Sequence, residues 1–391
     1  MKLIDVCKFI VDCPHSTAND EGSGYPLIRT PNVGRGRLIL SDVHRVCEEV
    51  YNKRNARAIP MAGDLIMARE APAGNVAVIQ PGEKVCLGQR TVLIRPDIEK
   101  VNPNFLAYYL LGPKQQHALT STANGATVAH VNMPHIRNLD ICLPSRKEQD
   151  TIANYLSAYD AKIESVTKEV KLIEENAQLL YKEWFTNLRC PYLSDNFQDN
   201  GLPNGWSIAT LGDIAYDAGV TAKKQNRNDF CYYLPIDCMP KKSLCYTVVD
   251  DVSLAESSLQ SFQPGDIVMG AMRPYFHKVI IARDKGLTRN TCFVINAKDK
   301  SYWAYLALLI FSEDTIKYAS QISVGATMPY VRWGDFVKMP IVIPSKEVAD
   351  KFSEIITPMI ERINTLAVIT QRLIEARNIL LPKLISGEVS I

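Results

Sequence analysis

From residue 152 to residue 184 apolar side chains return at alternating steps of four and three: Ile152, Leu156, Tyr159, Ile163, Val166, Val170, Ile173, Ala177, Leu180 and Trp184. The residues between them are mostly Lys, Glu, Asn and Gln, so the pattern is the a/d seam of a long amphipathic helix. Two hundred residues on, the same offsets carry Phe352, Ile356, Met359, Ile363, Leu366, Leu373, Leu380 and Leu384, with polar Thr370 and Arg377 in the same row. Each helix, at about 33 residues, would be roughly 50 Å long. So narrow a stripe must face a partner. The economical expectation is two long antiparallel coiled-coil helices paired within the chain, with one globular domain at each end and an approximate two-fold axis. Thr370 and Arg377 fit either a register device or a ragged seam edge. Pro358 predicts a kink or a break near the first turns of the second helix, and "LLPKLISGEVSI" reads as a helix stop followed by a short tail.

The repeat is not confined to the helices. "GATVAHVNMPHIRNLDICLPS" (125–145) returns as "GATMPYVRWGDFVKMPIVIPS" (325–345) without a gap. Upstream, "GDLIMAR" (63–69) resembles "GDIVMGAMR" (265–273), "QRTVLI" (89–94) resembles "RNTCFV" (289–294), and "LIDVC" (3–7) matches "LGDIA" (211–215). The chain is therefore two diverged copies of one unit of about 200 residues, far longer than a solenoid repeat. "DLIMAR", "NVAVIQ", "QRTVLIRP" and "LDICLP" predict short strands bounded by Gly, Pro and Asn. Residues 103–121 and 301–320 predict one or two helices each. The expected fold class is α+β with a pseudo-two-fold internal repeat, divided as 1–145, 146–190, 191–345 and 346–391.

Composition narrows the function classes. At 391 residues the chain is long enough for two cores. Its 47% hydrophobic and 22% charged content is that of a globular protein. The opening "MKLIDVCKFIVD" turns polar at once, which argues against a secretory signal. The apolar run "YWAYLALLIF" is too short to span a bilayer. Ten scattered cysteines without a CxxC pair predict reduced thiols in a cytoplasmic protein. The net charge of +2 excludes a bulk polycation but not a local basic face. Residues 29–57 supply one, with seven Arg or Lys against three acids.

Catalytic chemistry is not found. There is no phosphate loop of the GxxxxGK[ST] type, and "GRGRL" (34–38) lacks the lysine and the helix. "NPNF" (102–105) departs from the Asn-Pro-Pro-Phe of adenine methyltransferases and reads as an Asn-Pro turn starting a helix. "PDIEK" (96–100) reads as a solvated turn. The six histidines form no HExxH and no zinc spacing with cysteine. His130 and His135 become Tyr330 and Asp335 in the second copy, so a shared catalytic role is not expected. No nucleophile–base pair, metal site or cofactor site is predicted in this chain.

Two similar but diverged domains held apart by stiff helices would make a caliper. Approximate two-fold symmetry suits duplex DNA, whose grooves recur each turn of about 34 Å. At this point the residues carry a resemblance. "ICLPSRKEQDTIANYLSAYDAKIESVTKEVKLIEENAQLLYKEWF", "PNGWSIATLGDI", "IPSKEVADKFSEII" and "ARNILLPKLISGEV" together resemble the specificity subunits of type I restriction–modification systems over essentially the full chain. The resemblance implies two target recognition domains, 1–145 and 191–345, spaced by helices in 146–190 and 346–391. It implies that those helices dock two modification (methyltransferase) subunits, and that restriction (endonuclease/translocase) subunits join the assembly. S-adenosylmethionine, ATP and Mg would then reside on the partners, with no cofactor and no catalysis here. "SKEVADK" departs from the pattern, lacking the Glu-Gln pair present as Glu148-Gln149. Residue types suited to phosphates and base edges give Arg29, Thr30, Arg35, Arg37, Arg54, Arg69, Gln89 and Arg90 as DNA-binding candidates in the first domain. In the second they give Lys223, Lys224, Arg227, Arg273, Lys278, Arg289 and Asn290. The rival readings are a DNA-acting enzyme in its own right, the recognition subunit of a type II system with split targets, and a non-DNA coiled-coil adaptor.

Overall fold

The computed structural model describes residues 1–121, 130–193, 196–222, 227, 229–256, 258–389 and 391. The chain forms two compact units, Met1–Ile163 with Leu373–Ile391, and Glu164–Arg372, each mixing strands and helices.

In the first unit, β1 (Cys7–Asp12), β2 (Tyr25–Ile28), β3 (Gly36–Arg37), β4 (His44–Val46), β5 (Leu65–Ala68), β6 (Val76–Val78), β7 (Cys86–Leu87) and β8 (Thr91–Pro96) build two sheets. They run in the orders β1-β8-β5-β6-β3 and β4-β2-β7. Alternation decides the packing. Leu65 and Met67 of β5 face a core shared with Val92, Ile94 and Phe105, whereas Ile66 and Ala68 face one shared with Ile28, Leu87 and Leu93. The sheet is thus covered on both faces, and its central strands are apolar throughout. Helices α1 (Glu48–Arg54), α2 (Pro103–Leu110), α3 (Pro113–Thr120) and α4 (Met133–Arg137) follow, then the long α5 (Arg146–Tyr181). Asn102 caps α2 by accepting from the Phe105 N–H at 3.1 Å, with Pro103 in the first turn, so "NPNF" is a helix start.

The second unit repeats the order. It contains β9 (Ser207–Thr210), α6 (Leu211–Ile214), β10 (Ala215–Asp217), β11 (Val220–Ala222), β12 (Leu259–Phe262), β13 (Ile267–Gly270), β14 (Val279–Ile281), β15 (Gly286–Arg289) and β16 (Cys292–Ala297). Then come α7 (Trp303–Ile310), α8 (Glu313–Ile322), α9 (Trp333–Phe336), β17 (Pro340–Ile343) and α10 (Lys346–Ser386). The sheet β10-β16-β13-β14 has the order of β1-β8-β5-β6, and α7, α8 and α9 follow it as α2, α3 and α4 follow theirs. "LDICLP", expected as a strand, makes only an isolated bridge between Asp140 and Lys2. Its counterpart β17 pairs with β9 over four residues.

The long helices serve both units, since each unit boundary falls inside α5 and inside α10. In the second unit, Trp184 meets Phe352 at 5.3 Å and Glu169 meets Arg362 at 2.7 Å, so the two helix segments there run antiparallel. The buried stripe of α5 departs from the apolar row in several places. Ala153, Asp160, Glu174 and Tyr181 are buried where Ile152, Tyr159, Ile173 and Leu180 are half-buried, and Ile163 is half-buried as well. On α10, Phe352, Ile356, Ile363 and Leu366 are buried, Met359, Leu373 and Leu380 are half-buried, and Ile360, Ala367, Leu381 and Leu384 join the core. The helix runs on through Pro358 and Pro382 and ends at Gly387, whose φ is +76°. The break expected near Pro358 does not occur, because the turns on both sides of it pack, and the stop read in "LLPKLISGEVSI" falls at Gly387, where the left-handed glycine supplies it.

The buried polar groups on the long helices include three with defined partners. Asp160, 1% exposed, accepts from the Tyr108 hydroxyl at 2.6 Å and pairs with Arg377. Gly36 lies against it with φ +99°, and a Cβ there would meet Asp160 Oδ2 at 2.7 Å. Burial, then the Asp160 charge, raises the Tyr108 phenol above its ordinary range. Glu174 accepts from the Ser243 hydroxyl at 2.7 Å and the Leu244 N–H at 2.6 Å, and burial raises its pKa. Thr370 returns its hydroxyl to the Leu366 carbonyl of its own helix at 2.9 Å.

Two outcomes are expected. Asp160→Ala leaves the Arg377 cation without its partner and should lower unfolding free energy by about 3–5 kcal/mol, while Asp160→Leu with Arg377→Met should recover most of that loss. Denaturant melts of wild type and both variants check it, and equal losses in the single and the double variant would refute the pairing. Glu174 binds its proton more tightly folded than unfolded, so its contribution is full below the unfolded value of 4.5 and is lost as pH rises through the raised folded value. Glu174→Gln should therefore gain in melting temperature relative to wild type as pH rises from 4.5 toward neutrality, and a constant difference would show that the carboxyl is not strained.

Candidate nucleic-acid interface

Each main sheet has one end where the second copy repeats the first. In the ladders Ala68 faces Thr91 and Gly270 faces Cys292. The turn that precedes β8 there holds Gln89-Arg90, and β16 is preceded by Arg289, the last residue of β15, and by Asn290 in the turn. Arg90, Arg289 and Asn290 are exposed and Gln89 is half-buried. The candidates drawn from the matched "QRTVLI" and "RNTCFV" segments thus occupy equivalent positions, with different side chains in each.

Behind the first turn lies a chain of charged groups. Arg69 is buried, grips both oxygens of Asp12 at 2.9 and 2.8 Å, and donates to the Val131 carbonyl at 2.9 Å. Its other terminal nitrogen meets His130 Nε2 at 2.8 Å, and His130 Nδ1 meets Glu70 at 2.7 Å. An arginine can only donate, so Nε2 accepts and Nδ1 carries the proton toward Glu70. Glu70 in turn pairs with Arg90. His130 is therefore a hydrogen-bonded surface residue that braces Arg90 through Glu70.

The second unit uses other residues at the same end. Arg273 ties its backbone N–H to the Pro329 carbonyl at 2.7 Å and its guanidinium to the Thr327 carbonyl at 3.5 Å. It thereby adjoins the second Gly-Ala-Thr copy, a hairpin closed by Val324 and Tyr330, with Gly325 at φ +107°. The first copy, Gly125-Ala126-Thr127, lies outside the described residues. Tyr330 is 41% exposed beneath the Arg332 guanidinium, 5.8 Å from its ring centroid. The sequence reading missed Arg332 and Tyr330 as site residues, although the replacement of His130 by Tyr330 marked the position. Arg289 is steadied by the Tyr233 hydroxyl at 2.7 Å.

Other candidates are placed elsewhere. Arg54 is buried and donates to the carbonyls of Leu87, Ser16 and Pro14, so it is a staple of the fold and is withdrawn, as is the inward-facing Arg69, from the phosphate-contacting set. Lys278 is half-buried and donates to the Ile236 carbonyl at 2.6 Å. Arg37 lies on edge strand β3, opposite Val78, and the ladder leads from there to Leu65 and Ile94, away from the Ala68–Thr91 end. Arg35, exposed beside it, reaches back to the Leu111 carbonyl at 3.3 Å. Arg29 and Thr30 are half-buried at a 3-10 turn, and Arg227 is half-buried. Lys223 and Lys224 lie outside the described residues. The basic stretch 29–57 is thus not one surface: Arg54 is an inward staple, Arg35 and Arg37 lie at the β3 edge, and Lys53 and Arg57 are exposed elsewhere.

The arrangement offers donors and aromatic faces. Among the described residues no group of three or more His, Cys, Asp or Glu could hold a metal ion. None of the ten cysteines is in a disulfide. Among the described residues no helix is long and apolar enough to cross a membrane.

Comparison with known proteins matches this geometry to a family. Residues 1–175 match the family model described as the type I restriction modification DNA specificity domain. The chain is 25% identical over 364 residues to the type I restriction enzyme MjaIX specificity subunit of Methanocaldococcus jannaschii, covering 88% of this chain and 82% of that one. It is 20% identical over 441 residues to the HindI specificity subunit of Haemophilus influenzae, covering 94% and 95%. A crystal structure of a type I restriction–modification S subunit from M. genitalium shares the fold, with a TM-score of 0.55 at 14% identity over 98% of this chain and 95% of that chain. A repeated α+β unit, two long helices and relatives that span both copies agree on one likeness: residues 1–175 match the type I restriction modification DNA specificity domain, and the chain is similar to type I specificity subunits over most of its length.

Proposed function

We propose that this chain is the DNA-specificity subunit of a type I restriction–modification complex, in which each unit reads one half of a bipartite duplex target. The observation that carries the reading is the duplicated sheet end, which presents Gln89-Arg90 in one unit and Arg289-Asn290 in the other. Arg and Asn at such positions suit guanine and adenine edges, and arginine also suits phosphates. Different residues at equivalent positions imply different half-sites, hence an asymmetric target. The long helices, shared by both units, set the unread gap and dock two modification (methyltransferase) subunits, and restriction subunits complete the complex. Methylation with S-adenosylmethionine and cleavage with ATP and Mg belong to those partners, and this chain is not itself an enzyme. The complex acts in the cytoplasm. The type I names of the relatives reported above favour this reading over a split-target type II subunit or a coiled-coil adaptor.

Co-expression with the neighbouring methyltransferase and genome-wide mapping of modified adenines should give a split, asymmetric motif with a fixed gap. A stable complex that modifies nothing would sink the proposal. Binding to duplex DNA should weaken steeply with salt, and Arg90→Ala and Arg289→Ala should each reduce the slope of log K against log salt by about 0.9. Arg54→Ala should instead lower stability and leave that slope unchanged. Unchanged slopes for Arg90→Ala and Arg289→Ala would remove both turns from the interface.

A further inference from the structure

The connection between β13 and β14 contains a feature that its counterpart between β5 and β6 lacks. A 3-10 turn, Pro274–Phe276, is bracketed by two non-glycine residues in the left-handed region, Arg273 at φ +50° and His277 at φ +51°. Side-chain-bearing residues hold that conformation only where their surroundings over-determine it. Here the surroundings do so from both flanks. Before the turn, the Arg273 N–H is held by the Pro329 carbonyl. After it, the His277 carbonyl accepts from the Lys242 N–H at 2.8 Å, and the Gly270 N–H donates to the Lys278 carbonyl at 2.9 Å.

His277 is the deepest anchor. It is 3% exposed, its ring meets Phe311 edge-on at 5.0 Å, and Nε2 lies 2.9 Å from the Phe311 carbonyl. A carbonyl only accepts, so Nε2 carries a proton, and Nδ1 lies 3.5 Å from a Glu313 carboxylate oxygen. Glu313 is itself held by Lys242 at 2.8 Å. The anchors leave the other side of the turn in solvent. Tyr275 at its apex is 53% exposed, with its ring set against Phe276 at 4.9 Å. Lys241 sits 5.0 Å above the Phe276 ring, and Arg273 adjoins the 324–330 hairpin. A tyrosine held outward on an over-determined turn among cations can bring its hydroxyl to a phosphate and its ring to a base edge such as the thymine methyl in a duplex groove.

We propose that Tyr275 is a specificity-determining residue for the half-site read by the second unit, and that His277 is its positioning residue. The proposal rests on the DNA-reading function above. It assigns to the second unit a contact that the first, with Arg69 and Glu70 in the equivalent connection, does not make.

The test uses the full chain co-expressed with its modification subunits, with host genomic DNA as the probe and the modified-base map as the readout. Wild type, Tyr275→Ala, His277→Ala and His277→Gln are compared. Tyr275→Ala should lose about tenfold discrimination at one or more bases of one half-site, the loss of a single good base contact, and keep the other half-site and the melting temperature. His277→Ala should relax the same half-site. His277→Gln, whose amide nitrogen replaces Nε2 as donor to Phe311, should restore it, which a role in bulk stability alone would not produce. An unchanged motif in Tyr275→Ala, or equal relaxation of both half-sites, overturns the proposal even where His277→Ala fails to fold. A wild-type chain that yields no split motif overturns the DNA-reading function itself, and that result is read separately from the variants.

Discussion

The constraint on which the rest depends is the apolar stripe of two long helices. No isolated helix can leave such a stripe in water. Each helix here meets the need twice, because its two halves bury into different units. Leu156, Leu381 and Leu384 enter the core that also holds the strands and α2 of the first unit. Val166, Val170, Phe352 and Ile363 enter the core of the second. A helix half is therefore not a spacer attached to a finished domain but part of the core that makes the domain compact. The recurring sheet and helix order supplies the remaining walls of each core, and it is those walls that hold the polar turns outward.

Burial alone would leave the stripe free to slide. The polar groups set into it are what make one arrangement preferable. Asp160 can be buried only where Tyr108 and Arg377 both reach it, and only beside a residue with no Cβ, which is why Gly36 stands there. Glu174 requires the Ser243–Leu244 corner in the same way. A one-turn shift would strand a charge in each unit, and a stranded buried charge costs more than a mismatched pair of leucines. Register specification of this kind was one of two readings open for Arg377. The ion pair with Asp160 gives it a physical basis, whereas Thr370 is satisfied within its own helix and specifies nothing across the seam.

Much of this architecture was legible because it follows from periodicity. The strands at Leu65–Ala68 and Thr91–Pro96 alternate between two cores, the cap at Asn102 has its own chemistry, and the repeat needed only comparison of the chain with itself. Other features were not legible. A heptad reading selects apolar letters, so it passed over Asp160 and Glu174, which occupy the same face because distant residues satisfy them. Residue type cannot tell an arginine that staples three carbonyls, such as Arg54, from one that faces solvent, such as Arg289. Both carry the same fixed charge, and only the tertiary position of carbonyl oxygens separates them. Nor could the failed strand at "LDICLP" be foreseen, since its hydrophobic pattern is intact.

The two units show how one scaffold can carry two different surfaces. In the first, the position after β5 is Arg69, folded inward onto Asp12 and His130 as a brace. In the second, that position is the buried Ala271, and the arginine appears two residues later, on a left-handed turn tied to an exposed hairpin. Neither change disturbs the ladder, because Val131 and Val331 donate to the same backbone carbonyl in each copy, that of Arg69 or of Ala271. The ladder fixes where the turns lie, and side chains beyond its last hydrogen bond are free to diverge. Divergence between the copies at this end thus leaves the shared ladder intact. That is the condition under which a duplicated unit can acquire a second specificity without losing its fold.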